Sequence, residues 1–402
     1  MKPSGIEWIG DIPADWEVRR LKGLGEQTIG LTYSPQDITD NSGTLVLRSS
    51  NIQNGKLVLD RDDNVYVSID VENKILKDED ILICSRNGSR NLVGKTAFVI
   101  TYGKKLSYGA FTTIFRSKYN KFLFYVFNAG VFEYHLASYN TSTINQLTTS
   151  MLNEIRVPFP PVKTQQKIAD YLDEKCGEID ATIAKQKESI EKLKAYKQSL
   201  ISETVTKGLD KSAPLKPSGI EWIGDIPNDW EICKLKRCLT IQNGLDYKSV
   251  RDDNGEFPVI GSGGQFDFAS NYLYDGESVL FGRKGTINKP LYVNGKFWTV
   301  DTMFYSMIKP NACGKFIFYS ATTIPFDFYS TATAVPSMTQ RDLINHYLVL
   351  PPLSKQRIIA DYLDSKCSQI DKYITEKQNI IQKLDAYKKS LIFECVTGKH
   401  KI

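Results

Sequence analysis

The chain has 402 residues, enough for two ordinary domains with connections. Hydrophobic residues make up 41%, which excludes a disordered polymer, and a net charge of +5 reveals no nucleic-acid surface unless the cations cluster locally. The first residues carry no apolar leader, the longest apolar stretch (122–132) is broken by Asn128, the seven cysteines form no CxxC pair, and only His135, His346 and His400 supply imidazole; the expectation is a reduced cytoplasmic protein without membrane span, metal centre or disulfide framework.

In chain order the first element is half of a repeat. Residues 2–22 read KPSGIEWIGDIPADWEVRRLK and residues 216–236 read KPSGIEWIGDIPNDWEICKLK, so Lys2 matches Lys216 at an offset of 214. A second repeat has a different offset, 191, with Ile168 matching Ile359 in two IADYLD segments. The order is therefore A–X–B–A′–Y–B′, similar flanks around unlike middles. A duplicated gene whose middles diverged or were exchanged explains it.

The X and Y segments, roughly 23–158 and 237–349, show short β-rich runs at 44–48, 80–84, 97–100, 278–281 and 291–293. Turn pairs punctuate them: Asn54-Gly55, Asn87-Gly88, Asp275-Gly276 and Asn294-Gly295. Each reads as a domain with an irregular sheet, and helices are predicted at about 121–136 and 314–321 to pack on it.

The B segments read as helices of about 40 residues, roughly 60 Å long. In the first, Leu172, Cys176, Ile179, Ile183, Ile190, Leu193 and Leu200 form a heptad seam, matched by Leu363, Cys367, Ile370, Ile374, Ile381, Leu384 and Leu391. A long helix with one apolar stripe needs a partner, and its twin is the obvious one. Since a globular segment separates the two in sequence, an antiparallel pair with a domain at each end is expected. The division by sequence is 1–158, 159–210, 211–350 and 351–402. The fold class is α+β: two α/β domains separated by two long antiparallel coiled-coil helices, with a pseudo-two-fold internal repeat.

Three motif matches fail on chemistry. Residues 88–96 read GSRNLVGKT, but five residues precede the Gly-Lys-Thr where a P-loop needs four, and no helix is predicted to follow. Gly261-Ser262-Gly263-Gly264 lacks the spacing of a dinucleotide fingerprint and reads as a tight turn. Pro160-Pro161 and Pro351-Pro352 lack the preceding amide that an adenine methyltransferase needs, and instead suit the entry to a helix. No HExxH motif or nuclease-type carboxylate–lysine cluster is present, so no catalytic residue is assigned.

What remains is a set of polar, basic and aromatic loop residues in both middles. In X these are Arg48, Ser49, Ser50, Asn51, Gln53, Arg86, Asn87, Ser89, Arg90 and Lys95; in Y they are Tyr247, Lys248, Ser262, Gln265, Arg283, Lys284, Thr286, Asn288 and Lys289. Arg, Lys, Asn and Gln match the edges of bases, while Ser, Thr and backbone amides match phosphates. One such residue is an ordinary solvated side chain; the same cluster in both halves points to DNA.

Taken together, the chain resembles the specificity subunit of type I restriction–modification enzymes. The residues that carry the resemblance are SGIEWIGDIPADWE and SGIEWIGDIPNDWE, Thr143-Ile144-Asn145-Gln146-Leu147, Pro158-Phe159-Pro160-Pro161 with Gln165-Gln166-Lys167-Ile168, Leu350-Pro351-Pro352-Leu353 with Lys355-Gln356-Arg357-Ile358, and both YLD…ID…K helices. Residues 334–338 read AVPSM where the TINQL text would repeat. The resemblance implies a non-catalytic, cofactor-free subunit with two target recognition domains, each reading one half of a bipartite, asymmetric site on double-stranded DNA. It implies helices that set the spacer between half-sites, two modification (methyltransferase) subunits docked on the repeats, and restriction (translocase–nuclease) subunits joined to that core. Two alternatives stay open: an orphan or regulatory DNA-binding protein of the same type without partners, and a coiled-coil adaptor.

Overall fold

A computed structural model describes residues 1–138, 145–329 and 336–402. The chain divides into two compact units, 1–186 with 379–402, and 187–378. Among the described residues no helix is long and apolar enough to cross a membrane.

In the first unit the entry and exit of X are tied together. Strand Glu17–Arg20 pairs antiparallel with Arg156–Phe159, and just before it Lys2–Pro3 pairs with Asp11–Ile12. Between them lies an antiparallel sheet in the order Thr96–Phe98, Ile81–Cys84, Thr112–Arg116, Glu26–Ile29. Ile81–Cys84 is buried throughout, as an apolar run without alternation should be in a strand covered on both faces. A second sheet has the order Leu106–Tyr108, Thr44–Leu47, Val65–Val67, Ile38–Thr39, with its first pair parallel.

The helix predicted at 121–136 is interrupted. It runs Asn120–Val126, passes through a wide segment Phe127–Val131, and resumes as Phe132–Ser138. Gly130 adopts φ +87°, a conformation open to glycine, and the Asn128 side chain donates to Phe124 O (2.7 Å) and Thr96 Oγ1 (2.8 Å).

The second unit repeats the plan. Leu215–Pro217 pairs with Asp225–Pro227, and Glu231–Lys234 with Tyr347–Leu350. Its main sheet runs Leu291–Val293, Ser278–Gly282, Met303–Ile308, Leu239–Asn243, the same order with new sequence. Its other sheet differs beyond one parallel pair: Phe257–Gly261 lies beside Lys296–Thr299 and forms a hairpin with Gly264–Ala269. The expected helix is present at Gly314–Ala321.

The long helices span Val162–Lys207 and Leu353–Val396, each starting directly after its proline pair. Buried Gln165 and Gln356 hold those starts by donating to Pro160 O (2.7 Å) and Pro351 O (2.8 Å). Within the first unit the helices run antiparallel: Tyr171 meets His400 and Asp180 meets Lys388. Within the second unit the contact of Lys197 with Asp371 belongs to the same arrangement. Seam residues Leu172, Cys176, Ile179 and Ile183 are buried in the first unit, and Leu363, Cys367 and Ile370 in the second.

The Asn120–Val126 and Gly314–Ala321 helices are pinned to the long helices in matching ways. Tyr125 donates to Asp173 in the first unit, and Tyr319 donates to Asp364 at 2.8 Å in the second; Asp173 and Asp364 are equivalent in the 191 repeat. Burial and the neighbouring carboxylate push both phenols up. Trp16 and Trp230 are buried against the turns that end the long helices, at Gly398 and Gly208. Those turns require glycine twice over, since φ is +72° and +77° and a Cβ would strike Pro13 at 2.3 Å or Trp230 at 2.9 Å. The other repeat pair diverges: Trp8 packs near Phe393, whereas Trp222 stays 57% exposed over the His346 ring.

Candidate nucleic-acid interface

The loop after the buried central strand is held by one backbone frame in both units. In the first, Ser85 N and Arg86 N both donate to Phe111 O (3.0 Å each), and Leu147 N donates to Ser85 O (2.8 Å). Asn87 N completes the frame by donating to Asn145 O (3.4 Å). In the second unit Arg283 N (2.8 Å) and Lys284 N (3.3 Å) donate to Thr302 O, Met338 N to Arg283 O (3.1 Å), and Gly285 N to Pro336 O (2.9 Å). Ser85-Arg86-Asn87 and Arg283-Lys284-Gly285 thus occupy the same frame with different side chains. A loop fixed by its own main chain is free to vary what it presents.

The 145–147 and 336–338 segments that complete this frame are equivalent at the 191 offset, so the departure from TINQL keeps the backbone role. Leu147 and Met338 are both buried beneath it, and Thr148 and Thr339 then cap short helices. Thr143, Ile144, Ala334 and Val335 lie outside the described residues.

A third element approaches each frame through glycine. Gly30 N donates to Thr112 O and Gly244 N to Met303 O, both at 3.0 Å. A Cβ on Gly30 would lie 2.2 Å from Gly109 O, and one on Gly244 would lie 2.1 Å from Val300 O. The sequence signal was available: the 214 repeat resumes at Gly30-Leu31 and Gly244-Leu245, beyond the stretch in which it was recognised.

Several of the selected side chains converge on these frames. Asn87 Nδ2 donates to Ser49 Oγ (3.1 Å), joining the 48–53 loop to the 85–90 loop. Arg86 is exposed, with its guanidinium 5.4 Å from the exposed Phe111 ring. Asn145 Nδ2 and Ser89 N tie down the same loop, through Gly88 O (3.1 Å) and Asn87 Oδ1 (2.9 Å). In the second unit Arg283 Nη1 donates to Asp301 O (3.3 Å), while Lys284, Thr286, Asn288 and Lys289 are exposed on the loop that follows. Ser262 and Gln265 sit at the hairpin turn, and Tyr247 meets Phe266 edge-on at 5.3 Å.

Others are committed elsewhere. Asn51 is 1% exposed, and its amide is used by Arg48 N, Val58 O and Asn64 Oδ1, so it shapes the loop and leaves the surface set. Arg48 is held by Asp63 through its main-chain and side-chain oxygens. Arg90 Nη2 donates to Leu136 O (2.9 Å), while Lys248 and Gln53 stay exposed beside Asp246 (3.9 Å) and Ser50 O (3.4 Å). Ser50 is half-buried, and so is Lys95, whose stretch runs straight into strand Thr96–Phe98, so no helix follows the 88–96 loop to cradle a phosphate. Phe111 and Phe266 were not selected from the sequence, because the selection rested on hydrogen-bonding side chains and phenylalanine has none. Among the described residues no group of three or more His, Cys, Asp or Glu side chains could hold a metal ion.

Comparison with known proteins gives a consistent result. The type I restriction modification DNA specificity domain family matches residues 13–194 and 227–386. The EcoKI specificity subunit of Escherichia coli K12 is 26% identical, over 97% of this chain and 90% of that protein. The MjaVIII specificity subunit of Methanocaldococcus jannaschii is 25% identical, over 97% and 94%. Among solved structures, a chain from a study of assembly and conformational transition in a type I restriction–modification system superposes with TM-score 0.73 at 14% identity, covering 97% of this chain and all of the other. The HsdS subunit of Thermoanaerobacter tengcongensis superposes with TM-score 0.50 at 15% identity, covering 97% of this chain and 98% of that chain. At such identities the likeness concerns the fold.

Proposed function

Because this chain belongs to the type I restriction modification DNA specificity family, we infer that it is the sequence-reading subunit of such a system. Each unit reads one half of a bipartite, asymmetric site on double-stranded DNA. The observation that carries this reading is the repeated frame, with Ser85-Arg86-Asn87 in one unit and Arg283-Lys284-Gly285 in the other. Identical backbone with unlike side chains is what two reading heads of common origin and different specificity require.

Chemistry at the DNA belongs to partners in this reading. Two modification subunits dock on the duplicated A and B surfaces, since identical partners need equivalent surfaces while the heads differ. Restriction subunits join that core, and the helix pair sets the spacer between half-sites. The divisions 1–158, 159–210, 211–350 and 351–402 then mark what is exchangeable and what is scaffold.

A domain exchange tests the reading. Replacing 23–158 with the corresponding segment of a relative, in a host supplying modification subunits, is expected to change one half of the methylated motif. The other half should stay as it was. A change confined to the half assigned to 237–349, or methylation by the chain alone, overturns the assignment. Absence of salt-dependent DNA binding would leave an adaptor instead.

A further inference from the structure

We propose that Phe266 reads the C5-methyl group of a thymine in the half-site bound by the second unit. The inference rests on the DNA-reading role proposed above and adds a specificity residue of a kind the basic clusters lack.

Phe266 is delivered by a bulge. In the hairpin Gly261 faces Gly264 and Ile260 faces Gln265, but Val259 faces Asp267, which leaves Phe266 without an opposing residue. An extra residue of this kind re-aims its side chain and bends the strand, a device common beside functional sites. The ring is 54% exposed yet held from two sides. It lies over Gly261, where a Cβ would be 3.2 Å from Cε1, and the Tyr247 ring meets it at 90°.

The Gly261 position beneath the ring neighbours the segment that holds Arg283. The Cβ position of Gly261 is 3.9 Å from Val300 Cγ2, and the next residue, Asp301, accepts from Arg283 Nη1. Gln265 is adjacent in the same turn, and Lys284 follows Arg283. An exposed apolar ring thus adjoins Gln265 in the turn and neighbours, through Val300 and Asp301, the loop that carries Arg283.

Such a face fits the thymine C5-methyl, the bulkiest apolar group a base pair presents in the major groove and one of the features by which base pairs are told apart there. Covering that methyl with a pre-positioned ring contributes about fourfold in affinity, the equivalent of one buried CH₂. The two heads differ in this respect. In the first unit strand Thr44–Leu47 pairs with Val65–Val67 in place of a hairpin, and the guanidinium of Arg86 lies over the exposed Phe111 ring.

The test uses the full chain and randomised duplex libraries, one made with thymine and one with deoxyuridine, which lacks only the methyl. Wild-type protein is expected to enrich a bipartite motif in which one thymine of one half-site loses about fourfold preference in the deoxyuridine library. Phe266→Ala should remove that sensitivity at that position and leave the other half-site unchanged. Phe266→Leu should retain part of it, and unchanged enrichment at the remaining positions reports that the variants are folded. A motif indifferent to the methyl, or a methyl effect that survives Phe266→Ala, overturns this inference alone. Enrichment of no motif from either library overturns the DNA-reading role, and this inference with it.

Discussion

Asp180 receives the Lys388 ammonium on both carboxylate oxygens, at 2.7 and 2.8 Å, inside the first unit. The repeat turns this contact into a pair. Asp371 and Lys197 are the copies of Asp180 and Lys388 at the 191 offset, and they meet at 2.7 and 2.6 Å inside the second unit. A duplicated helix that pairs antiparallel with its copy can make the same contact twice, with the roles of the two helices exchanged. The same ion pair therefore ties the two helices together in each unit.

A reciprocal exchange follows from that relationship. Asp180→Lys alone places two cations together and is expected to destabilise the first unit, while Asp180→Lys with Lys388→Asp restores it. These side chains are 36% and 21% exposed, so a coupling energy of about 0.5–1 kcal/mol is expected in a double-mutant cycle by denaturant unfolding. Independent effects of the two substitutions would show that the pair does not tie the helices together.

Gly244→Ala is expected to damage one reading head. The added Cβ would sit 2.1 Å from Val300 O, and main chain cannot swing aside as a side chain does. Overpacking of this kind costs about 1–3 kcal/mol. Recognition of the second half-site should weaken while the first is kept, and Gly30→Ala should give the mirror result. Motif mapping of the two variants decides it; loss of both half-sites in either variant contradicts the independence of the frames.

Arg86→Ala and Lys284→Ala probe equivalent backbone positions with different chemistry. Each is expected to weaken DNA binding, and a lost phosphate contact lowers the slope of log affinity against log salt by about 1. If Arg86 instead makes a bidentate contact to a base, its loss relaxes one position of the first half-site at a cost of about 1–3 kcal/mol. Either outcome is confined to one half-site. Binding titrations at several salt concentrations, together with the enriched motif, separate the two.

His346 makes the second unit sensitive to acid. It is 6% exposed, Trp222 stacks on it, the Tyr329 hydroxyl lies 2.8 Å from Nδ1, and burial lowers it to about 4. An ordinary histidine titrates near 6.5, so between about pH 6.5 and 4 the unfolded chain binds a proton that the folded one refuses. Stability from this group is complete above pH 6.5 and declines as pH falls to 4, by up to about 3 kcal/mol. His346→Ile, which installs the residue already present at the equivalent Ile155, should flatten that dependence. Thermal melts from pH 7 to 4 check it; an identical decline in the variant would assign the effect to other groups.

The sequence by itself determined the plan: two offsets, 214 and 191, marked the repeated flanks, and period and proline placement marked two long helices with their seam. Those features are local or self-similar, so they can be read without knowing what touches what. The Gly314–Ala321 helix was legible for the same reason, whereas the break at Gly130 lay inside an otherwise helical pattern. Only tertiary structure decided which basic residues face outward. Asn51 and Arg48 have the chemistry of base readers but are consumed by Asn64, Val58 and Asp63. It also decided that Phe266 stands at the surface, because a one-residue slip in strand register redirects a side chain and no residue type announces that slip. The frame at 85–87 and 283–285 is a main-chain pattern, and hydrogen bonds between main-chain groups far apart in sequence leave little trace in side-chain identity.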